Sequence, residues 1–278
     1  MIDRYINNEI SSIWNDQNRF NTWKLVQEKF VETLEHLNIA EKGVSKKIRN
    51  TEVSKEEVYK QEEITNHDLA SFVDILQKKV GDGSHWIHYG LTSSDVVDTS
   101  NSVLIMESID TVTELINNLL TTLKDKAIQE KDTSIIGRTH GVYAEETFLG
   151  NIFGNWYLEI QRSLKRIENS RNNIAIGKLS GPVGNHSVVT EEMEKLTLEK
   201  LNLKPEIFAN QIVSRDRYAE VVSSLGILAS TYERIATNIR SYQRSEISEM
   251  FEAFKDGQKG SSAMPHKKNP IGSERISG

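Results

Sequence analysis

Apolar residues return along this chain in steps of three and four, the spacing that lines them up on one face of an α-helix. Between Val103 and Ala127 the stripe is Ile105, Ile109, Val112, Ile116, Leu119 and Leu123. A second runs through Val221, Leu225, Leu228, Tyr232, Ile235, Ile239 and Tyr242, and a third through Phe148, Ile152, Trp156, Ile160, Leu164 and Ile167. An earlier helix carries Phe20, Trp23, Phe30, Leu34 and Leu37. Polar–apolar alternation of the kind a half-buried strand needs is hard to find over any length. Stripes sustained for about seven or eight turns predict an all-α protein built as a long-helix bundle.

The stripes break at four places. GDGSHWIHYGLTSSD occupies 81–95, KDTSIIGRTHGVYAEE 131–146, KLSGPVGNHS 178–187 and DGQKGSSAMPHKKNPIGSE 256–274. Shorter helices fill the first hundred residues and the long stripes follow. The expected division is an N-terminal helical domain, 1–100, and a central long-helix bundle domain, 101–278. Loops on a rigid scaffold are where chemistry concentrates, and these four hold His85, His88, His140, His186 and His266. Taken singly, His85 reads as packing beside Trp86, and His36, His186 and His266 as surface residues.

Charge and composition narrow the function classes. A chain of 278 residues can bury a core without disulfide or metal staples. Its 34 basic residues against 40 acidic ones leave a formal net charge of −6. That excludes a general nucleic-acid coat or a polybasic membrane binder, but permits a local basic pocket for a small anion. The absence of cysteine removes thiolate zinc sites, iron–sulfur clusters and cysteine nucleophiles. No HxxxH pair or carboxylate–histidine cluster points to a metal, and no cofactor is expected. The opening MIDRYINNEI has no apolar signal core, and no run approaches the roughly 18 apolar residues of a membrane span. A cytoplasmic protein with neither membrane nor nucleic-acid partners is expected.

The stretch 256–274 is the densest in chemistry. Pro265 and Pro270 bias the residues before them away from helix, and flanking glycines are suited to a hinge. Paired serines, a lysine and an amide suit a carboxylate, although by composition alone a basic, solvated connection is the simpler reading. Residue order adds more. GSSAMPHKKNP at 260–270 is similar to the signature Gly-Ser-Ser-x-Met-Pro-x-Lys-x-Asn-Pro of the fumarase/aspartase superfamily. MIDRY at the start, TNHDLASF at 65–72, HWIHYGLTSSDVVDT at 85–99, GRTHGVYAEE at 137–146 and NQIVSRDRYAE at 210–220 resemble, in order, the adenylosuccinate lyase family within it.

That resemblance implies a helical lyase whose small-molecule substrate is adenylosuccinate. The reaction releases fumarate to leave AMP, and the family performs the same elimination on the succinylated aminoimidazole carboxamide ribotide of purine synthesis. Ser261 matches the general base and His140 the general acid; Ser262 competes with Ser261 for the base role. Thr92, Ser93, Lys267 and Asn269 match residues holding the succinyl carboxylates, and Gln211 a substrate-binding amide. His67 and Asp68, preceded by Asn66, match a site-lining pair, as does His88, and Glu274 matches an acidic partner near the catalytic histidine. Arg4 and Tyr5 match the pair at the nucleotide's phosphate and ribose end. The resemblance also implies a homotetramer with sites shared between subunits.

The residue types suit the chemistry. Eliminating fumarate means taking a proton beside a carboxylate, and a serine hydroxyl does this only if its alkoxide is stabilised by Lys267, backbone N–H groups or a helix N-terminus. An imidazole with an ordinary pKa of about 6.5 can protonate the departing nitrogen. Three departures stand out: Asn66 where relatives place Arg, and Tyr143 and Glu146 where they place His and Pro. The chain also stops at Gly278 whereas family members continue, which reads as a C-terminal truncation with little or no turnover expected from 1–278 alone. The alternatives are another fumarate-releasing lyase, of argininosuccinate lyase or fumarase type, or an inactive helical fragment.

Overall fold

A computed structural model describes residues 5–264 and 266–278. In chain order it has α1 (Asn8–Ile13), α2 (Asp16–His36), α3 (Val44–Asn50), α4 (Lys55–Thr65) and α5 (Asp68–Val80). The 37-residue α6 (Ser93–Gln129) follows, then strands β1 (Ser134–Thr139) and β2 (Val142–Phe148) and the 26-residue α7 (Leu149–Ile174). β3 (Ile176–Gly177), α8 (Glu191–Glu199), β4 (Lys204–Pro205), the 27-residue α9 (Asp216–Tyr242) and α10 (Ile271–Ser277) complete it. The long stripes lie on α6, α7 and α9 and the earlier one on α2, except that Phe148 ends β2, where it is exposed, and Leu37 is the C-cap of α2; the fold is all-α in class.

The hairpin β1–β2 departs from the sequence reading. Its strands pair antiparallel with an irregular register between Ile136 and Arg138. Only Ile135 among its side chains is buried, so the pair has no buried face to leave an alternating pattern in the sequence.

The chain forms two compact units, each drawn from two stretches. The first takes the described residues up to Val112 and Ser170–Ala219; the second takes Thr113–Asn169 and Glu220–Gly278. In the first unit, side-chain caps start the helices: Asn15 accepts from the Asn18 N–H at the head of α2, and Ser54 and Glu57 form a reciprocal capping box on α4. α2 buries Phe20 and Trp23 against Phe72 of α5, with ring centroids 5.2 to 6.1 Å apart. Each such buried side chain is worth about 1.5–3 kcal/mol of transfer free energy. β3 and β4 pair in parallel through two register positions, Ile176 with Lys204 and Gly177 with Pro205. In the second unit Ile116 and Leu123 of α6, Trp156, Ile160 and Ile167 of α7, and Leu228 and Ala236 of α9 are all buried, which is why their stripes are continuous.

Candidate active site

The first unit gathers the candidates from its own helix starts. His67 is the N-cap of α5, its Nδ1 accepting from the Ala70 N–H at 3.4 Å, and its Nε2 lies 3.4 Å from Ser93 Oγ at the head of α6. Asp68 caps the N–H of Leu69 at 2.7 Å and lies 3.5 Å from His67 Nδ1. Asn66 closes α4 in the left-handed region at φ 51°, which Asn adopts more readily than most residues. That backbone role gives its identity a structural reason. Thr92 donates its N–H to Asp95 Oδ2 at 2.8 Å.

His88 is clamped by a residue that sequence reasoning passed over. Gln27 on α2 is fully buried; it accepts from the His88 backbone N–H at 2.9 Å and faces His88 Nδ1 at 2.9 Å. Burial, with a smaller push from His67, lowers the imidazole to about 4. For a base depressed on folding, the associated stability is complete above the unfolded value of about 6.5 and is lost as pH falls toward 4.

The first turns of α6 anchor two loops. Asp95 and Lys178 are both completely buried and form an ion pair. Lys178 also donates to Gly181 O at 2.7 Å, and Gly181 N–H donates to Asp95 Oδ2 at 3.1 Å. Burial pushes the Asp95 carboxyl up, opposed by Lys178 and by the N–H groups of Thr92 and Gly181. One turn on, Asp98 accepts from Val213 N–H at 2.9 Å and from Arg215 at 3.0 Å, fixing the strand of loop that carries the exposed Gln211. Glu194 accepts from Leu179 N–H at 2.7 Å and faces His186 Nε2 at 3.0 Å. His186 is therefore a half-buried partner of a buried carboxylate and not a surface residue. The spacing of Asp95 and Asp98 on one helical face was the available signal for this network. Tyr5 is half exposed, and Arg4 lies outside the described residues.

The second unit holds His140 and the signature loop. His140 and Gly141 form a two-residue turn between paired Thr139 and Val142, with φ of 55° and 79°. Positive φ at both positions is the type I′ hairpin turn, and it exposes the imidazole at the tip, where no hydrogen bond is made among the described residues. The hairpin is tied down by Arg138, whose guanidinium grips Glu249 through bonds of 2.7 and 2.9 Å and lies over the Tyr143 ring at 5.1 Å. Glu146 bonds to Ser134 across the strands.

The signature segment folds back on itself at Gly260, which is buried. A Cβ there would come within 2.4 Å of Lys267 O and 2.8 Å of Asn269 N, so only glycine permits this crossing. Ser261 Oγ accepts from the Met264 N–H at 3.3 Å; Ser262 is exposed. Gln243 holds the far side, donating to Lys268 O at 2.9 Å, while Lys267 is exposed and Asn269 half-buried. Glu252 caps α10 by accepting from Gly272 and Ser273 at 3.0 and 2.6 Å. Glu274, on α10, lines a cavity of about 300 Å³ with Thr237, Arg240, Ser241, Arg244 and Pro270. No cluster of three metal-binding side chains occurs among the described residues, and no helix there is long and apolar enough to cross a membrane.

Comparison with known proteins places these features in context. The family model described as Lyase matches residues 7–278. The adenylosuccinate lyase of Aquifex aeolicus is 43% identical over 282 residues, taking in 100% of this chain and 64% of its own length. Those of Thermotoga maritima and Helicobacter pylori are 42% and 40% identical, again over all of this chain and over 65% and 63% of their lengths. The chain thus spans slightly less than two thirds of these relatives. Among solved structures, the 3-carboxy-cis,cis-muconate lactonizing enzyme of Pseudomonas putida superposes with a TM-score of 0.89 at 21% identity, over 100% of this chain and 64% of that one. A fumarate lyase from Mesorhizobium sp. BNC1 gives 0.84 at 18%, over 98% and 62%. At these identities the structural likeness speaks for the fold alone.

Proposed function

We propose, on the premise that the chain belongs to the lyase family, that it carries an adenylosuccinate lyase site and eliminates fumarate from adenylosuccinate to leave AMP. The observation that carries this reading is identity of 40–43% along the whole chain to proteins named for that reaction. The succinylated aminoimidazole carboxamide ribotide, bearing the same succinyl–nitrogen bond, is a second substrate. Ser261 takes the proton beside the carboxylate and His140 delivers one to the departing nitrogen. The Met264 N–H on Ser261 Oγ is the kind of donor a developing alkoxide requires, and it favours Ser261 over Ser262. Lys267 and Asn269, in the same tightly crossed loop, hold the carboxylate on which negative charge develops.

Incubated with adenylosuccinate, a protein that contains this chain and has the full length of its adenylosuccinate lyase relatives should release fumarate and AMP in equal amounts, while argininosuccinate and malate stay unchanged. Turnover of argininosuccinate in place of adenylosuccinate would replace this reading with that of a different fumarate-releasing lyase.

The protein acts in the cytoplasm as a homo-oligomer, a tetramer in the complete family pattern. Apolar side chains left in water support this: in the first unit the neighbours Ile207 and Phe208 are 84% and 94% exposed, an apolar pair that a partner surface would cover. Light scattering should give a mass at a multiple of 31.6 kDa. A single-chain mass independent of concentration would count against assembly.

A further inference from the structure

We infer that Gln27 locks the His88 imidazole in its Nε2–H tautomer, so that His88 serves the site as an uncharged hydrogen-bond donor and never as its base. The donor role toward substrate rests on the proposed reaction; the tautomer does not, being a property of the chain itself.

The argument is one of donors and acceptors. The His88 backbone N–H can only donate, and it points at the Gln27 amide at 2.9 Å. The amide oxygen must therefore face it. That leaves the amide NH₂ facing His88 Nδ1 at 2.9 Å. An amide nitrogen has protons to give and no lone pair to accept with, so Nδ1 must supply the lone pair and the ring's single proton resides on Nε2. Flipping the amide would set two donors against each other at the backbone in a fully buried place.

One further feature holds the clamp in place. His88 has φ of 64°, a conformation a residue with a Cβ enters at a cost, and the pair of hydrogen bonds to Gln27 spans its own N–H and ring, which stabilises that conformation. His67 differs, its Nδ1 lying between the Ala70 N–H at 3.4 Å and Asp68 Oδ1 at 3.5 Å and its Nε2 beside Ser93 Oγ, so no single tautomer is fixed there. His88 thus keeps Nε2 as the nitrogen available to a ligand, and it bonds to nothing among the described residues. An oxygen of a carboxylate or phosphate is the ligand such an N–H group suits.

Neutral His88 is consistent with its surroundings. Of the titratable groups nearby, His67 is the one acting on the ring. On α2, Glu28 is engaged by Lys29 at 3.0 Å and Arg49 at 2.9 Å, and at the head of α6 Asp95 is engaged by Lys178.

Nitrogen-15 spectra of histidine-labelled protein test this directly, with His88 assigned by loss of its signals in His88→Asn. Nδ1 is expected to show the unprotonated shift and Nε2 the protonated one, unchanged from pH 8 to 5. In Gln27→Glu a carboxylate still accepts from the backbone N–H but its second oxygen demands a proton at Nδ1. The signals should exchange character, and the protonation midpoint should rise from near 4 to beyond the ordinary histidine value of about 6.5. A wild-type Nδ1 that carries the proton overturns the proposal, as does a folded Gln27→Glu protein with both signals and midpoint unmoved. If circular dichroism shows that the variant has not folded, the wild-type spectrum decides alone. Because none of these readings uses turnover, they stand or fall separately from the assigned reaction.

Discussion

Replacing His140 is expected to lower turnover by about 10²–10⁴-fold, the usual contribution of a general acid, while leaving the helical circular dichroism unchanged. The choice of replacement follows from the backbone. His140 holds φ of 55° at the first central position of a type I′ turn, a place that suits Asn better than Gln. His140→Asn therefore removes the imidazole and keeps the turn, whereas His140→Gln adds backbone strain. The ring is exposed and makes no hydrogen bond among the described residues, so its loss leaves no buried group unpaired. Ser261→Ala should be comparably severe, since the hydroxyl accepts only the Met264 N–H within its loop. Retention of more than about a tenth of the activity, against the roughly 10²–10⁴-fold of a general acid, would remove the affected residue from its role.

Lys178→Met should destabilise the protein by about 3–5 kcal/mol, the range for stripping one partner from a buried ion pair. Total stabilities are about 5–15 kcal/mol, so the shift should be plain in urea denaturation followed by circular dichroism. Asp95 would keep only the N–H groups of Thr92 and Gly181 for its completely buried carboxylate. Burial already pushes that carboxyl up. A carboxyl raised above its unfolded value favours folding at low pH and ceases to as pH rises through its folded value. Removing Lys178 takes away one of the groups that oppose this rise, so the deficit of Lys178→Met should shrink as the pH is lowered from neutrality. Pairing it with Asp95→Leu should return a large part of the loss, because the charge is then gone with its partner. A single-variant cost under about 1 kcal/mol would mean that water reaches this pair and the usual penalty for a dry one does not apply.

What was legible in the sequence divides along physical lines. The long helices were readable because α6, α7 and α9 each bury one face over many turns, which stamps a repeating pattern on Ile105 to Leu123 and its counterparts. The hairpin was not, because one buried side chain, Ile135, cannot announce a strand, and its turn is His-Gly where Asn-Gly is the familiar signal. Motif order is what singles out loop residues such as Ser261, Lys267 and Asn269, and the roles proposed for them rest on it. Their supports were not legible. Gln27 lies 61 residues from His88, and Asp95 lies 83 from Lys178, and nothing local to Gln27 or Lys178 distinguishes an amide or an ammonium that will be buried from one that will be solvated. His186 was misjudged for the same reason, since its partner Glu194 looks like any acidic residue in the first turn of α8.

Because each compact unit is assembled from two separated stretches, the order in which the chain leaves the ribosome matters. Asp95 must wait for Lys178, and Asp98 waits for Val213 and Arg215, separations of 83, 115 and 117 residues. Until then α6 presents two carboxylates that lack their long-range partners, Asp95 keeping only the local Thr92 N–H, alongside helices whose apolar faces are still uncovered. Contacts so distant along the chain are the slow ones to form. Nascent chains shorter than about residue 219 therefore carry the histidines of the first unit without the polypeptide that completes it, and it is during this interval that such a chain is most open to aggregation and most in need of a chaperone.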